Sequence, residues 1–424
     1  MPAFVPIAFR LFAVLGIAWL VHAHHGRVTA SGSDPIRLSE VRAFLPEAHT
    51  LRFEPRRSAH TVLNPERAPI GSVARTMPFC RAINGYSGPS DVLLAFDPDD
   101  QLLGIQIRHS YDTPSHVKDV VGDYTFMEQW NGFTWDKIST LHDLPANNIY
   151  GVSGATRTSE AVAKSLAART AVHASGAGAN SVSAIARSFS FRWQDAALIA
   201  LAVAGLALVF LKKKRWLQKR RVWIHIVMVL YLGLISGDLL AQSLLFSWST
   251  HGVPWNTLVG LVILALVAFA TPWGTGRRVY CTEICPHGHL QRWLGKLVPN
   301  RFKLRLAHDE KWSFRVLPGL LLAVILIIVF LRLPLDLAGF EAFDAWAIRG
   351  AGIATITVCA VGLVYSMFVP MGYCRHACPT GFLLDLVKRE RAGFVKRDFW
   401  LLGLLALAAA LYLGYTPVRD WLLS

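Results

Sequence analysis

The chain has 424 residues, 53% of them hydrophobic, and its 43 Lys and Arg against 28 Asp and Glu give a formal charge of +15. That apolar content excludes a disordered chain, and the length allows two or three domains. A basic surplus points to nucleic acid in a soluble protein, but here its placement along the chain excludes that class.

Arg10 precedes the apolar run 11–21 and the ending Val21-His22-Ala23. One basic residue, a short apolar core and a small terminal residue make either a signal peptide over 1–23, cleavable after Ala23, or an N-terminal anchor. Both send the residues after Ala23 out of the cytoplasm. Residues 24–190 are mixed and polar, with no stretch long enough to span a bilayer. Within them "DVLLAFDPDDQLLGIQI" (91–107) predicts two strands joined by an Asp/Pro turn. "EAVAKSLAARTAV" (160–172) predicts a helix and "SGAGANSVS" (175–183) a linker. The expected fold of this part is α+β.

Residues 191–424 carry six apolar segments, at 194–211, 223–246, 255–272, 314–333, 351–371 and 398–415. Each approaches the roughly 20 residues that cross a hydrocarbon core about 30 Å thick. The expectation is an all-α polytopic membrane domain of six transmembrane helices. The connections at 212–221, 273–312 and 372–397 carry 7, 8 and 6 Lys/Arg, whereas 247–254, 334–350 and 416–424 carry 0, 1 and 1. Basic loops face the cytoplasm, so residues 24–190 are expected outside. The basic surplus is then topological, and no nucleic-acid site is expected.

Of the six cysteines, Cys80 stands alone in the exported part and Cys359 lies within the fifth segment. The other four form a repeat: "YCTEICPHGHL" (280–290) and "YCRHACPTGFL" (373–383) share Tyr-Cys-x3-Cys-Pro-x-Gly-x-Leu. Each copy follows a segment entering the cytoplasm and precedes one leaving it, so the two units form a parallel internal repeat with the motifs facing each other. Pro286 and Pro379 suit the first position of a helix, which places Cys285 and Cys378 at helix N-termini, where the dipole favours thiolate. Cys281, Cys285, Cys374 and Cys378 are therefore candidate ligands of an iron–sulfur cluster or zinc. The lesser alternatives are structural pairs that cap helices and a thiol–disulfide relay. His287, His289 and His376 are read as ligands or as polar interface residues. His225 is the single histidine inside a span, which excludes paired imidazoles for a haem within the membrane.

"NNIYGVSGATRTSEAVAKSLAAR" (147–169) sets Ser153, Gly154, Ala155, Thr156 and Thr158 ahead of the expected helix. Free N–H groups and a positive dipole end make such a loop an anion site, although Ser, Thr and Gly are also ordinary cap residues.

"GVSGATRTS" (151–159) resembles the flavin-attachment motif, S/T-G-A-T, of FMN-binding domains. These occur in sodium-pumping quinone reductases, Rnf complexes and NosR/NirI-type membrane proteins. The resemblance implies that a flavin transferase couples FMN through its phosphate to Thr156, with Ser153, Gly154, Ala155 and Thr158 shaping the loop. Tyr150 stands where the motif usually has Asp. Residues 85–114 resemble the body of the same domain and "VRAFLPEA" (41–48) the region before it in NosR-type proteins. Together with the two cysteine motifs, the similarity covers most of residues 35–390. The chain ends at Ser424 without the ferredoxin domain of NosR, and so looks more like the shorter PceC-type relatives.

The resemblance implies a flavoprotein of the bacterial inner membrane, with its N-terminal domain in the periplasm and no catalytic residue of its own. Electrons would pass between the quinone pool or a cytoplasmic-face iron–sulfur site and a periplasmic reductase, in supply or in maturation of that enzyme. About 30 Å of hydrocarbon separates the two faces, and a quinone between the helices is expected to bridge it. The alternatives are a redox-responsive regulatory membrane protein and a thiol–disulfide relay.

Overall fold

The computed structural model describes residues 4–30, 35–55, 57–112, 114–141, 149–152, 155–175, 191–211, 213–304, 316–333, 335, 337–346, 353–390 and 393–423. The chain divides into two compact units, Thr29–Phe189 and the combination of Met1–Val28 with Ser190–Ser424.

In the first unit, a short helix α2 (Leu38–Val41) precedes an antiparallel sheet in the order β1-β2-β3-β4-β5. Its strands are Thr50–Glu54, Ala59–Leu63, Pro69–Arg75, Ser90–Phe96 and Leu102–Ser110. Every residue of β4 is buried, because both faces of the sheet are covered. The period of two decides which side chain goes where. Val92, Leu94 and Phe96 meet one apolar cluster with Trp130, Trp135, Ile138, Val162 and Leu166. Leu93 and Ala95 meet another with Ile36, Val41 and Ala48. The expected Asp/Pro turn joins β4 to β5: Asp97 Oδ1 accepts the N–H groups of Asp99 (2.9 Å) and Gln101 (2.8 Å).

Three small helices come next, α3 (Pro114–Gly122), α4 (Tyr124–Glu128) and α5 (Trp135–Ser139). The long helix α6 (Thr156–Ser175) then packs across the sheet. It starts four residues before the stretch 160–172 read as a helix from the sequence. Apart from Ser175, the expected linker 175–183 lies outside the described residues.

The second unit is helical. Among the described residues three helices are long and apolar enough to cross a membrane, Val5–Arg27, Trp193–Phe210 and Lys396–Tyr415, and four shorter apolar helices accompany them. In chain order the unit contains α1 (Phe4–Ala30), α7 (Trp193–Phe210), α8 (Arg221–Met228, running on as a π-helix to Ser236), α9 (Gln242–His251) and α10 (Val259–Thr275). The chain continues with α11 (Pro286–Leu297), α12 (Val316–Leu331), α13 (Ile353–Phe368), α14 (Gly372–His376), α15 (Pro379–Leu386) and α16 (Lys396–Leu423).

Two features go beyond the sequence reading, the first on a point it left open and the second by departing from it. First, the N-terminal stretch is one helix that continues past Ala23 and packs into this unit: Ala13 and Val21 join Leu322, Leu326, Phe330, Leu401 and Leu404 in one core. Arg10, fully buried, forms a two-pronged ion pair with Asp398, Nε to Oδ1 at 2.6 Å and Nη2 to Oδ2 at 2.8 Å. Second, the apolar stretch 223–246 is not one helix. Gly237, at φ +68°, ends the π-helix, and the backbone restarts at Gln242. The protein satisfies the freed amides. The hydroxyl of Tyr280 accepts Leu240 N–H (3.0 Å) and the carboxylate of Glu341 accepts Gln242 N–H (2.6 Å). Such a break is tolerated in an apolar layer only with partners of this kind.

Candidate functional site

The head of α6 is built by hydroxyls that fold the preceding loop against it. Ser159 Oγ accepts Val152 N–H (2.9 Å), and Thr156 Oγ1 donates to Val152 O (3.1 Å). Thr158 Oγ1 donates to Asp112 Oδ2 at 2.7 Å, and the same carboxylate accepts the N–H groups of Tyr86 (3.0 Å) and Ser87 (2.7 Å). Gly85 permits this clamp, since a Cβ there would stand 2.0 Å from Asp112 Oδ2.

The two threonines therefore have different fates. Thr158 is 1% exposed and committed to Asp112, whereas Thr156 is exposed on the first turn. Ala155 is buried in the core beside them, and Tyr150 is exposed. Ser153 and Gly154 lie outside the described residues. Asp112 and Gly85 escaped the sequence reading. A lone Asp just before Thr-Pro at a strand end was their only local signal.

The cysteine motifs share one local geometry. Cys285 N–H bonds Tyr280 O at 2.8 Å, and Cys378 N–H bonds Tyr373 O at 2.9 Å. Cys285 and Cys378 then cap α11 and α15, each with proline next, as the spacing predicts. The motif glycines have a steric reason. A Cβ on Gly288 would meet Cys281 O at 2.6 Å, and one on Gly381 would meet Cys374 O at 2.9 Å. Each tyrosine hydroxyl also accepts a distant backbone N–H, Tyr280 from Leu240 and Tyr373 from Ala342 (2.9 Å).

All four motif cysteines are free thiols. They lie within electrostatic reach of one another: charge on Cys374 and Cys281 acts on both Cys285 and Cys378. Burial pushes the Cys281 thiol up to about 12, opposed by the Arg278 guanidinium, and raises the other three as well. Burial of this kind favours the protonated thiol, and a bound cation would offset it.

Gln291 clamps Cys374 from the other motif, its Nε2 donating to Sγ (2.9 Å) and its Oε1 accepting Cys374 N–H (3.4 Å) and Ser366 Oγ–H (2.9 Å). Among the described residues no three His, Cys, Asp or Glu side chains close around a single metal ion.

Two of the motif histidines, His289 and His376, are engaged elsewhere, whereas the buried Nε2 of His287 has no hydrogen-bond partner. His289 stacks on His225 at 3.9 Å and bonds Glu283 O through Nε2 (3.0 Å). His376 Nδ1 meets the Tyr365 hydroxyl (2.9 Å), and His287 lies edge-on to Tyr373. His225 Nε2 is tied to Glu283 Oε2 (3.0 Å), which Arg221 also pairs. Glu283, between the two cysteines of its motif, was not singled out in the sequence.

Residues 85–169 match the family model of the FMN-binding domain, and residues 256–305 and 351–401 match that of the 4Fe-4S binding domain. Over 151 residues the chain is 25% identical to the Escherichia coli (strain K12) protein named "Putative electron transport protein YccM". That alignment covers 33% of this chain and only 40% of the curated relative. No solved structure matches. The matches support a role in electron transfer for this chain, with FMN and an iron–sulfur cluster as the groups involved. A β-sheet FMN-binding domain, followed by a helical region with several apolar helices and two 4Fe-4S binding stretches, fits a NosR/NirI-type FMN-binding membrane protein.

Proposed function

We propose that the chain is a flavoprotein of the bacterial inner membrane that moves electrons between a periplasmic FMN and a sulfur-ligated centre at the cytoplasmic face. The observation that carries this reading is the presence, in one chain, of an exposed Thr156 heading α6 and of four cysteines gathered from two motifs. When bound, FMN supplies a carrier of one or two electrons and the cluster a one-electron carrier.

The chain's residues hold these groups. Thr156 Oγ1 is the covalent tether for the flavin phosphate, set in place by a flavin transferase. The first N–H groups of α6 offset the phosphate charge, and Ser153, Gly154 and Ala155 let it approach the backbone. Cys281, Cys285, Cys374 and Cys378 hold the cluster. Arg278 and Arg292, both within electrostatic reach of these cysteines, offset their negative charge.

The loop charges support residues 24–190 on the periplasmic side, the cysteine motifs on the cytoplasmic side, and six crossings in 191–424 arranged as a parallel repeat. Quinone carries electrons across the intervening apolar layer. A periplasmic reductase is the acceptor, or the enzyme whose maturation these electrons support.

The test is denaturing electrophoresis of protein made together with a flavin transferase and viewed under ultraviolet light. A fluorescent band that is absent from Thr156→Val is expected. A band of equal intensity in that variant refutes the tether. Iron analysis of Cys281→Ser and Cys374→Ser completes it, because native iron content in both would refute the sulfur-ligated centre.

A further inference from the structure

The four motif cysteines are not equally covered. Cys281, Cys285 and Cys378 are buried, whereas Cys374 is half-buried. A group held by all four would come nearest to the surface at Cys374, and Arg375, next in the chain, is exposed. Three guanidinium groups act on Cys374, those of Arg278, Arg292 and Arg375. They come from three segments: Arg278 precedes the first motif, Arg292 lies on α11 and Arg375 on α14.

Local packing gathers them. Gln291, beside Arg292, holds Cys374 through its Nε2 on Sγ at 2.9 Å, and Arg292 donates to His289 Nδ1 at 2.7 Å. Arg278 reaches Asp385, at the end of α15, at 3.8 Å. The carboxylates downstream are already shared. Asp385 also pairs with Arg397 (3.5 Å), and Glu390 pairs with Arg397 (3.0 Å) and Lys388 (3.2 Å). Among the described residues no carboxylate pairs with Arg375. Basic loops are expected on topological grounds, but topology sets their number, not the meeting of three arginines at the least covered cysteine of one group. A positive face of this kind steers and seats a negatively charged partner. That partner must also bring single electrons close to Cys374, which a lipid headgroup cannot do.

We propose that the surface formed by Arg278, Arg292 and Arg375 around Cys374 docks an acidic one-electron carrier protein. The assignment rests on the electron-transfer reading and names the donor to its sulfur-ligated centre. In the step, one electron leaves the reduced carrier and enters the cluster. The carrier is oxidised by one electron, the cluster is reduced by one, and no bond or proton changes place.

The experiment uses full-length protein in phosphatidylcholine nanodiscs, with iron determined, and follows cluster bleaching by stopped flow. Reduced flavodoxin and reduced plant-type ferredoxin, both acidic, are the probes, and the methyl viologen radical cation is a small reductant of opposite charge. Arg375→Glu is expected to slow reduction by both proteins about tenfold at low salt, with the difference lost at high salt. Reduction by the viologen should be at least as fast as in the native protein. Arg52→Glu, the same charge change at an exposed position of β1, should react as the native protein does. Equal rates for native protein and Arg375→Glu with both carriers overturn the docking face, and a cluster that the viologen still reduces leaves the electron-transfer reading standing. Retention of phosphatidylglycerol that Arg375→Glu loses, with carrier rates unchanged, overturns the face in favour of a lipid seat. Salt-sensitive carrier binding that Arg375→Glu weakens, in protein without iron, upholds the face and defeats the electron-transfer reading.

Discussion

The pair formed by Arg10 and Asp398 gives the sharpest test of how the helical unit is held together. The Arg10 side chain is 0% exposed and that of Asp398 4%. Beyond the two-pronged contact, Arg10 donates to Lys388 O (3.1 Å) and Gly393 O (3.0 Å). Asp398 Oδ2 also accepts Val395 N–H at 2.7 Å, capping α16. Removing one partner leaves the other charge buried and unopposed, which costs about 3–5 kcal/mol. Arg10→Leu and Asp398→Leu should each lose that amount, with Asp398→Leu losing about 1 kcal/mol more for the cap.

The double variant should recover most of the loss, because replacing a buried pair by apolar side chains is close to neutral. It should end within about 1–2 kcal/mol of native. In a unit of this size the single changes correspond to a fall in melting temperature on the order of 10 °C. Thermal unfolding of detergent-solubilised protein, with intact-mass determination of its N-terminus, reads both quantities. Single variants that melt with the native protein, or a mature chain that begins after Ala23, would refute the argument that α1 is a structural member of the unit.

The geometry sets three further outcomes. Thr158→Val deletes the donor to Asp112 and should lower the stability of the FMN-binding domain by about 1–3 kcal/mol, seen by thermal melting, while the ultraviolet band on Thr156 persists. Gln291→Leu removes an N–H donor from Cys374 Sγ, making electron addition to the cluster less favourable. The midpoint potential should fall by on the order of 50 mV, about 1 kcal/mol for a one-electron couple, and a redox titration followed by electron paramagnetic resonance checks it. Burial pushes the Cys80 thiol up to about 12, so only about one thiol in ten thousand is ionised at pH 8. Native protein should leave Cys80 unmodified by iodoacetamide, and urea should expose it, as peptide mass spectrometry will show.

Features written in a short span of sequence were legible, and features made by distant partners were not. Cysteine followed by proline announced the caps of α11 and α15, and the two apolar runs around the Asp/Pro turn in 91–107 announced β4 and β5. Thr158 resembled Thr156 in the sequence because the residue that separates them, Asp112, lies 46 positions away. The break at Gly237 was invisible to hydropathy for a similar reason. Leu239 and Leu240 keep the stretch apolar, while the groups that stabilise the opened backbone, Tyr280 and Glu341, come from other segments. Arg10 read as the positive end of an export signal, since its counter-charge stands 388 positions on. Burying a charge is costly without a partner, and a local window cannot contain that partner.

If FMN is attached as proposed, the lock between Thr158 and Asp112 bears on how the transferase would find its target. Two hydroxyls of identical chemistry stand two positions apart on one helical turn, yet folding withdraws one of them before any encounter. Discrimination between them is thus written into the acceptor's tertiary structure. Under that proposal, releasing Thr158 by Asp112→Ala is expected to offer the transferase a second hydroxyl without any change in the enzyme.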